Sequence, residues 1–219
     1  MTNPSRERKG EIKAISKVTL NEEQKEAAAL IYNNPITVIT GRAGSGKSLV
    51  GAYVGLQFLA KKMAKKVLVT RATVVVGDDL GYLKGGLNEK FNPYIEAFMD
   101  NLKECADSEF VDELILTNKI VGCTVQFIRG KTINDVLVIE EAQNLNKEQM
   151  LALITRLGKE GKIIINGDNA QQDTQDGLTG LSYAIELSKK FPEDIPWIKL
   201  KSNHRHDLIG KILDYEYNK

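Results

Sequence analysis

Cysteine is scarce in this chain. There are two in 219 residues, Cys105 and Cys123, and no Cys-x-x-Cys pair. That excludes a disulfide scaffold and a cysteine-built zinc site, and it points to a reducing compartment. Both thiols read as buried apolar fillers. Histidine is equally rare: His204 and His206 are the two present, with no acidic or cysteine partner at ligand spacing, so zinc is not expected. An excess of one charge is lacking too. Lys and Arg number 30 against 29 Asp and Glu, a net charge of +1, which argues against a generally basic nucleic-acid coat but leaves room for a local strip. No apolar run approaches the length of a membrane span. The opening MTNPSRERKGEIK is polar and has no signal-peptide core. A soluble, cytoplasmic protein with no membrane partner is expected. Trp197 is the single tryptophan, read as packed rather than base-stacking. With 42% hydrophobic residues, the length suits one large domain.

What is present centres on Gly41-Arg42-Ala43-Gly44-Ser45-Gly46-Lys47-Ser48. This is G-x-x-x-x-G-K-S, the pattern of a phosphate-binding P-loop. A β-branched run, residues 36–40, precedes it and reads as a buried strand. A stretch with helical apolar spacing follows, from Leu49 to about residue 63. The glycines let backbone N–H groups turn inward toward phosphate oxygens, and the helix start adds partial positive charge. Lys47 is placed to reach the β- and γ-phosphates and the Ser48 hydroxyl to ligate Mg²⁺.

Residues 1–18 are charged and weakly patterned, and read as an N-terminal arm or short edge strand before a domain at 19–219. Asn21 with Gln24 three residues later forms a capping box for a helix ending near residue 32. Lys61, Lys62, Lys65 and Lys66 read as a solvated helix end. Residues 66–70 read as a strand, 74–86 as a glycine-punctuated stretch, 87–103 as helix with a turn at Asn92-Pro93, and 108–118 as helix. Residues 119–128 alternate like a strand or hairpin. Residues 135–139 form a near-continuous apolar run, as in a central parallel strand. Helix is expected over 147–157, strand over 162–166, helix over 178–190, strand over 195–200 and helix over 206–217. Strands alternating with helices predict an α/β fold with a mostly parallel sheet and helices on both faces.

Glu140 and Glu141 stand at the C-terminal tip of the apolar run, where α/β sheets place ligand crevices. In such an arrangement the first acid holds Mg²⁺ and the second orients or deprotonates the attacking water. Glu140 carries one methylene more than the usual Asp, a reach longer by roughly 1.3 Å. Asn166-Gly167-Asp168 and Gln171 close a third strand, with Gln171 a candidate sensor of the γ-phosphate. Arg205, on the loop before the last helix, is a candidate for stabilising charge on the transferring phosphoryl.

Taken together, LNEEQ, GRAGSGKS, RATVVVGDDLGYLKGGLNEKFNPY, FIRGKT, IEEAQN, TRLG, NGDNAQQD, GLTGL and NHRHDLIGKILDYE resemble the PhoH-like ATPases, a P-loop family akin to the nucleotide-binding half of superfamily-one helicases. The motifs run in order from about Leu20 to Glu216, and the length is similar to compact phage or bacterial members. The resemblance implies a single RecA-like P-loop NTPase domain with ATP and Mg²⁺ as cofactors. It implies Gln24 as an adenine-reading glutamine. It assigns nucleotide contact to Gly41 through Leu49, and Mg²⁺ to Ser48 and Glu140, the latter at a position where the family usually has Asp. Lys47, Glu141, Gln171 and Arg205 take the catalytic roles. The family is associated with ATP hydrolysis linked to RNA metabolism, and with ring assembly in some members. An arginine such as Arg156 or Arg205 from a neighbouring subunit would complete the site of a ring.

The expected function is therefore an ATPase coupled to single-stranded RNA or DNA, with RNA favoured. Two alternatives are a slow or non-hydrolysing ATP-dependent switch or assembly module, and a small P-loop kinase. The kinase would need an acceptor pocket and an arginine-rich lid, which the sequence does not display.

Overall fold

A computed structural model of the chain describes Ile15 and residues 18–71, 87–168, 178–204 and 206–217. Gln171, Arg205, the stretch 74–86 and most of the arm at 1–18 lie outside the described residues.

The first helix, α1 (Glu22–Asn33), opens with the expected reciprocal cap. Asn21 Oδ1 accepts the Gln24 N–H at 2.9 Å, and Gln24 Oε1 accepts the Asn21 N–H at 3.0 Å. Then follow β1 (Ile36–Gly41), α2 (Lys47–Ala60), β2 (Val67–Arg71), α3 (Leu87–Cys105) and α4 (Ser108–Leu116). Next come β3 (Ile120–Gly122), α5 (Val125–Arg129), β4 (Val136–Glu140), a 3₁₀ turn (Ala142–Asn144) and α6 (Lys147–Ile154). The described chain closes with β5 (Lys162–Gly167), α7 (Gly180–Lys190), β6 (Trp197–Leu200) and α8 (Asp207–Tyr217).

The described strands form one sheet in the order β3-β2-β4-β5-β1-β6, with every pairing parallel. Parallel neighbours require crossovers, and the intervening helices cover both faces. Alternation along the strands divides the apolar side chains between two cores. Val136 and Val138 of β4 and Ile164 of β5 face one, shared with α1 to α4. Leu137, Ile139, Ile163 and Ile165 face the other, shared with α6 and α7. Ile15 is also buried in the first core.

Two elements differ from the sequence expectation. Residues 119–128 are neither one strand nor a hairpin. Strand β3 stops at Gly122, and Thr124 accepts the Phe127 N–H to cap the short helix α5. The β-branched alternation there is shared between two elements, and the cap residue decides where one gives way to the other. Asn92-Pro93 makes no turn, because α3 runs unbroken from Leu87 to Cys105. Proline forfeits one backbone hydrogen bond without ending the helix.

The register puts the C-terminal ends of four strands side by side. Arg71 pairs with Glu140, Ile39 with Asn166, and Thr40 with Gly167.

Candidate nucleotide-binding site

These strand ends, the loop after β1 and one wall of α3 enclose a cleft of about 770 Å³. The loop bends through left-handed glycines, Gly44 at φ 82° and Gly46 at φ 86°. Gly46 is also the N-cap of α2, so the loop passes directly into the helix and directs its N-terminus at the cleft. The left-handed conformation favours glycine there, and a Cβ at Gly46 would also have to displace the Gln24 amide.

Lys47 folds back over the loop. Its Nζ donates to the carbonyls of Gly41 at 2.5 Å and Arg42 at 3.1 Å. Ser48 Oγ donates to Glu140 Oε2 at 2.7 Å. The other carboxylate oxygen, Oε1, accepts from Asn166 Nδ2 at 2.8 Å. Asn166 is fully buried, and its Nδ2 also lies 3.4 Å from the Lys47 carbonyl oxygen. One asparagine thus ties the phosphate loop to the acidic strand. Glu140 is only 9% exposed. Burial pushes its carboxyl up from the ordinary range. The hydrogen bonds from Ser48 and Asn166 and the Lys47 charge oppose that rise, while Glu141 adds to it.

Glu141 has φ 51°, left-handed although not glycine. Its carboxylate meets Gln143 and Arg71. Gln143 Nε2 donates to Glu141 Oε2 at 2.6 Å, and Arg71 Nη2 stands 3.8 Å from Oε1. Gln143 Oε1 in turn accepts the Asp168 N–H at 3.0 Å, so the tips of β4 and β5 are bridged by one buried amide.

At the other end of the cleft, Gln24 is 2% exposed, with its amide against Gly46 and 3.3 Å from His204 Nε2. The His204 N–H donates to the Gly44 carbonyl at 2.9 Å.

The chain matches the PhoH family, described as PhoH-like protein, over residues 16–216. It belongs to the PhoH-like family. The PhoH-like protein of Mycobacterium tuberculosis (strain ATCC 25618 / H37Rv) is 34% identical over 206 residues, 92% of this chain and 58% of that protein. That of Bacillus subtilis (strain 168) is 34% identical over 195 residues, 87% of this chain and 61% of the relative. Protein PhoH of Escherichia coli (strain K12) is 34% identical over 178 residues, covering 80% and 49%. The chain thus spans about half to three fifths of the length of these PhoH-like relatives. Among solved structures, the UvsW helicase from bacteriophage T4 is similar at TM-score 0.50 and 12% identity, over 84% of this chain and 61% of that one. The large terminase from a thermophilic bacteriophage is similar at TM-score 0.52 and 9% identity, over 83% and 46%. At these identities the likeness concerns the fold, a RecA-like P-loop domain.

The PhoH-like chain brings Gln24, Ala43, Gly44, Gly46, Lys47, Ser48, Leu49, Glu140 and Glu141 into one cleft. Gly41, Arg42 and Ser45 complete its loop. Asn166, Gln143 and Arg71 have no role assigned by the sequence motifs, yet they contact the two glutamates directly. The one available signal was position, since Asn166 and Arg71 each stand at a strand end beside the carboxylates. Arg156 stands beyond the N-terminal end of β4, where its backbone carbonyl accepts the Ile133 N–H and Nη1 donates to the Arg129 carbonyl. That is the end of the sheet opposite its own P-loop. Trp197 is 42% exposed rather than packed away, because β6 lies at the edge of the sheet that the described residues form. Among the described residues, no helix is long and apolar enough to cross a membrane.

Mg²⁺ fits the donor set. Ser48 Oγ and the Glu140 carboxylate are hard oxygens in contact, and the buried Asn166 Oδ1 beside them has no hydrogen-bond partner. A nucleotide-associated Mg²⁺ takes one or two protein oxygens and fills the rest of its shell from phosphates and water. Ser48 and Glu140 are the residues that would hold it.

Proposed function

We propose that this PhoH-like chain binds ATP with Mg²⁺, hydrolyses it, and couples hydrolysis to single-stranded nucleic acid, RNA before DNA. The observation that carries the reading is the 2.7 Å contact between Ser48 and Glu140 beside a P-loop whose lysine rests on its own loop carbonyls. In this reading the loop N–H groups and Lys47 bind the phosphates, and Lys47 moves from the carbonyls of Gly41 and Arg42 to phosphate oxygens. Bound Mg²⁺ would neutralise charge on the β- and γ-phosphates. Glu141, held by Gln143 and facing Arg71, accepts a proton from the attacking water. Gln171 senses the γ-phosphate and Arg205 stabilises the developing charge. Gln24 reads the adenine edge.

Support for a nucleic-acid partner comes from α5, the short helix that follows β3. Phe127 is exposed there, with the Lys131 ammonium 3.4 Å from its ring centroid. An exposed aromatic paired with a cation is the combination single-stranded binders use for stacking and charge neutralisation, and Lys131 would leave the ring face it covers when a base stacks there. Arg156, remote from its own P-loop, would serve the phosphates of another copy in a head-to-tail ring. A chain that remained monomeric at every concentration with full activity would remove that part of the reading.

The test is phosphate release from ATP with Mg²⁺, with and without single-stranded RNA, and with Lys47→Ala as the blank. Release that is stimulated by RNA, and lost in Lys47→Ala, is expected. Equal rates in the two proteins would refute the site, and a rate indifferent to RNA would refute the coupling. A second reading, an ATP-dependent switch or assembly module with little turnover, is favoured by Glu140, both of whose oxygens are already engaged. ATP binding without phosphate release would select it.

A further inference from the structure

We propose that His204 is the positioning residue of the base pocket. On this assignment it fixes which way round the Gln24 amide presents its oxygen and nitrogen, and so sets the preference for adenine over guanine. The inference rests on the reading of the cleft as a nucleotide site.

A glutamine amide can discriminate bases only if its two ends cannot exchange. The Gln24 oxygen is fixed by the Asn21 backbone N–H at 3.0 Å. Its nitrogen is therefore the end facing His204 Nε2, at 3.3 Å. Asn21 is oriented in the same manner. Its oxygen accepts the Gln24 N–H at 2.9 Å, so the nitrogen is the end that lies 3.3 Å from His204 Nε2 and 3.0 Å from Ser202 Oγ. Both amides thus present N–H donors to one imidazole nitrogen. Nε2 must accept, which places the ring proton on Nδ1.

The backbone that carries the imidazole is itself held in place. The His204 N–H is bonded to the Gly44 carbonyl of the P-loop. Upstream, the Glu23 carboxylate accepts the N–H groups of Lys201 and Ser202 and the Ser202 hydroxyl. The segment before His204 is thereby docked on the first turn of α1, and His204 bridges that turn and the phosphate loop.

With Asn21 and His204 engaged, Gln24 retains one lone pair on its oxygen and one hydrogen on its nitrogen. Adenine offers N6–H beside the N7 acceptor and matches that pair; guanine offers two acceptors, O6 and N7, and does not. Guanine meets the amide oxygen with one of its two acceptors whichever way the amide lies, whereas adenine is matched only in this fixed orientation; turning the amide over would also face the Gln24 oxygen toward the His204 acceptor and its nitrogen toward the Asn21 N–H.

The experiment measures dissociation constants for ATP and GTP by calorimetry on the full chain, on His204→Phe, which keeps a ring but no acceptor, and on His204→Gln, which restores one. Lys47→Ala serves as the control for phosphate-dependent binding. Expected are a preference for ATP in the unaltered chain, a narrowing of the ATP to GTP ratio by about fivefold in His204→Phe, the worth of one neutral hydrogen bond, and recovery in His204→Gln. An unchanged ratio in His204→Phe, or equal weakening of both nucleotides, would overturn the assignment while leaving the nucleotide site standing. Binding of neither nucleotide by the unaltered chain, or binding untouched by Lys47→Ala, would overturn the site and this assignment with it.

Discussion

Removing the Ser48 hydroxyl should cost the nucleotide-free protein more than loss of an ordinary side-chain hydrogen bond. The acceptor is a carboxylate only 9% exposed, and the contact is 2.7 Å. A hydrogen bond to a charged group contributes about 1.5–3 kcal/mol, against about 1 kcal/mol for a neutral pair. Ser48→Ala in the natural background should therefore lower stability by about 2 kcal/mol, and in a Glu140→Gln background by about 1 kcal/mol. The difference, about 1 kcal/mol, is the coupling energy of a double-mutant cycle. The pH dependence gives a second check. Burial raises the Glu140 carboxyl, and Ser48 is the first of the groups opposing that rise. A carboxyl raised in the folded state contributes stability below the ordinary carboxylate range and loses it as pH rises through its folded value. Ser48→Ala removes a bond that matters most to the ionised form, so its cost should be small in acid and full once Glu140 has lost its proton. Urea denaturation of the four proteins, without nucleotide, at acid and neutral pH measures both quantities. Coupling indistinguishable from zero, or a Ser48→Ala cost that does not change with pH, would refute the claim that the Ser48 hydrogen bond opposes the rise of the Glu140 carboxyl.

Glu140→Asp withdraws the carboxylate by roughly 1.3 Å, so it cannot hold both Ser48 and Asn166. Stability without nucleotide should fall by about 1–2 kcal/mol, while Mg²⁺ titrations of ATP binding should show tighter dependence as water gains room at the metal position. Complete loss of binding would instead mean that the site is fitted to the longer side chain. Gly46→Ala places a methyl at φ 86° and against the Gln24 amide. It should lose about 1–2 kcal/mol in urea denaturation from backbone conformation alone, with weaker ATP binding; an unchanged midpoint would refute the strained loop. Burial pushes the Cys105 and Cys123 thiols up to about 12. Neither should react with iodoacetamide at about pH 8, below both values, until the chain is denatured. Rapid labelling of the native protein would contradict that placement.

Local chemistry was legible in the sequence wherever neighbours in the chain are also neighbours in space. The Asn21–Gln24 cap, the glycine loop between β1 and α2, and the apolar run ending in two acids each carry their own signal over a few residues. Contacts between strand tips carry none. Ser48 and Glu140 are 92 positions apart, and Asn166 and Glu140 are 26 apart. What joins them is sheet order, which places β5 between β1 and β4. Asn166 therefore reads in sequence as the polar end of a strand, and only the parallel register makes it the link between loop and acid. The strand or hairpin expected over 119–128 held only for Ile120–Gly122, for the opposite reason. Alternation was present, but it was shared by a three-residue strand and a five-residue helix, too short for either period to stand out.

Trp197 holds its place on the edge strand by donating from Nε1 to Thr40 Oγ1 at 2.8 Å. Thr40 is the last residue before Gly41, where the phosphate loop begins. The sole tryptophan of the chain is thus tethered one residue from that loop, with its ring still partly in water. The protein carries its own optical label, and its tryptophan emission comes from a single indole whose hydrogen-bond partner belongs to the strand that delivers the loop.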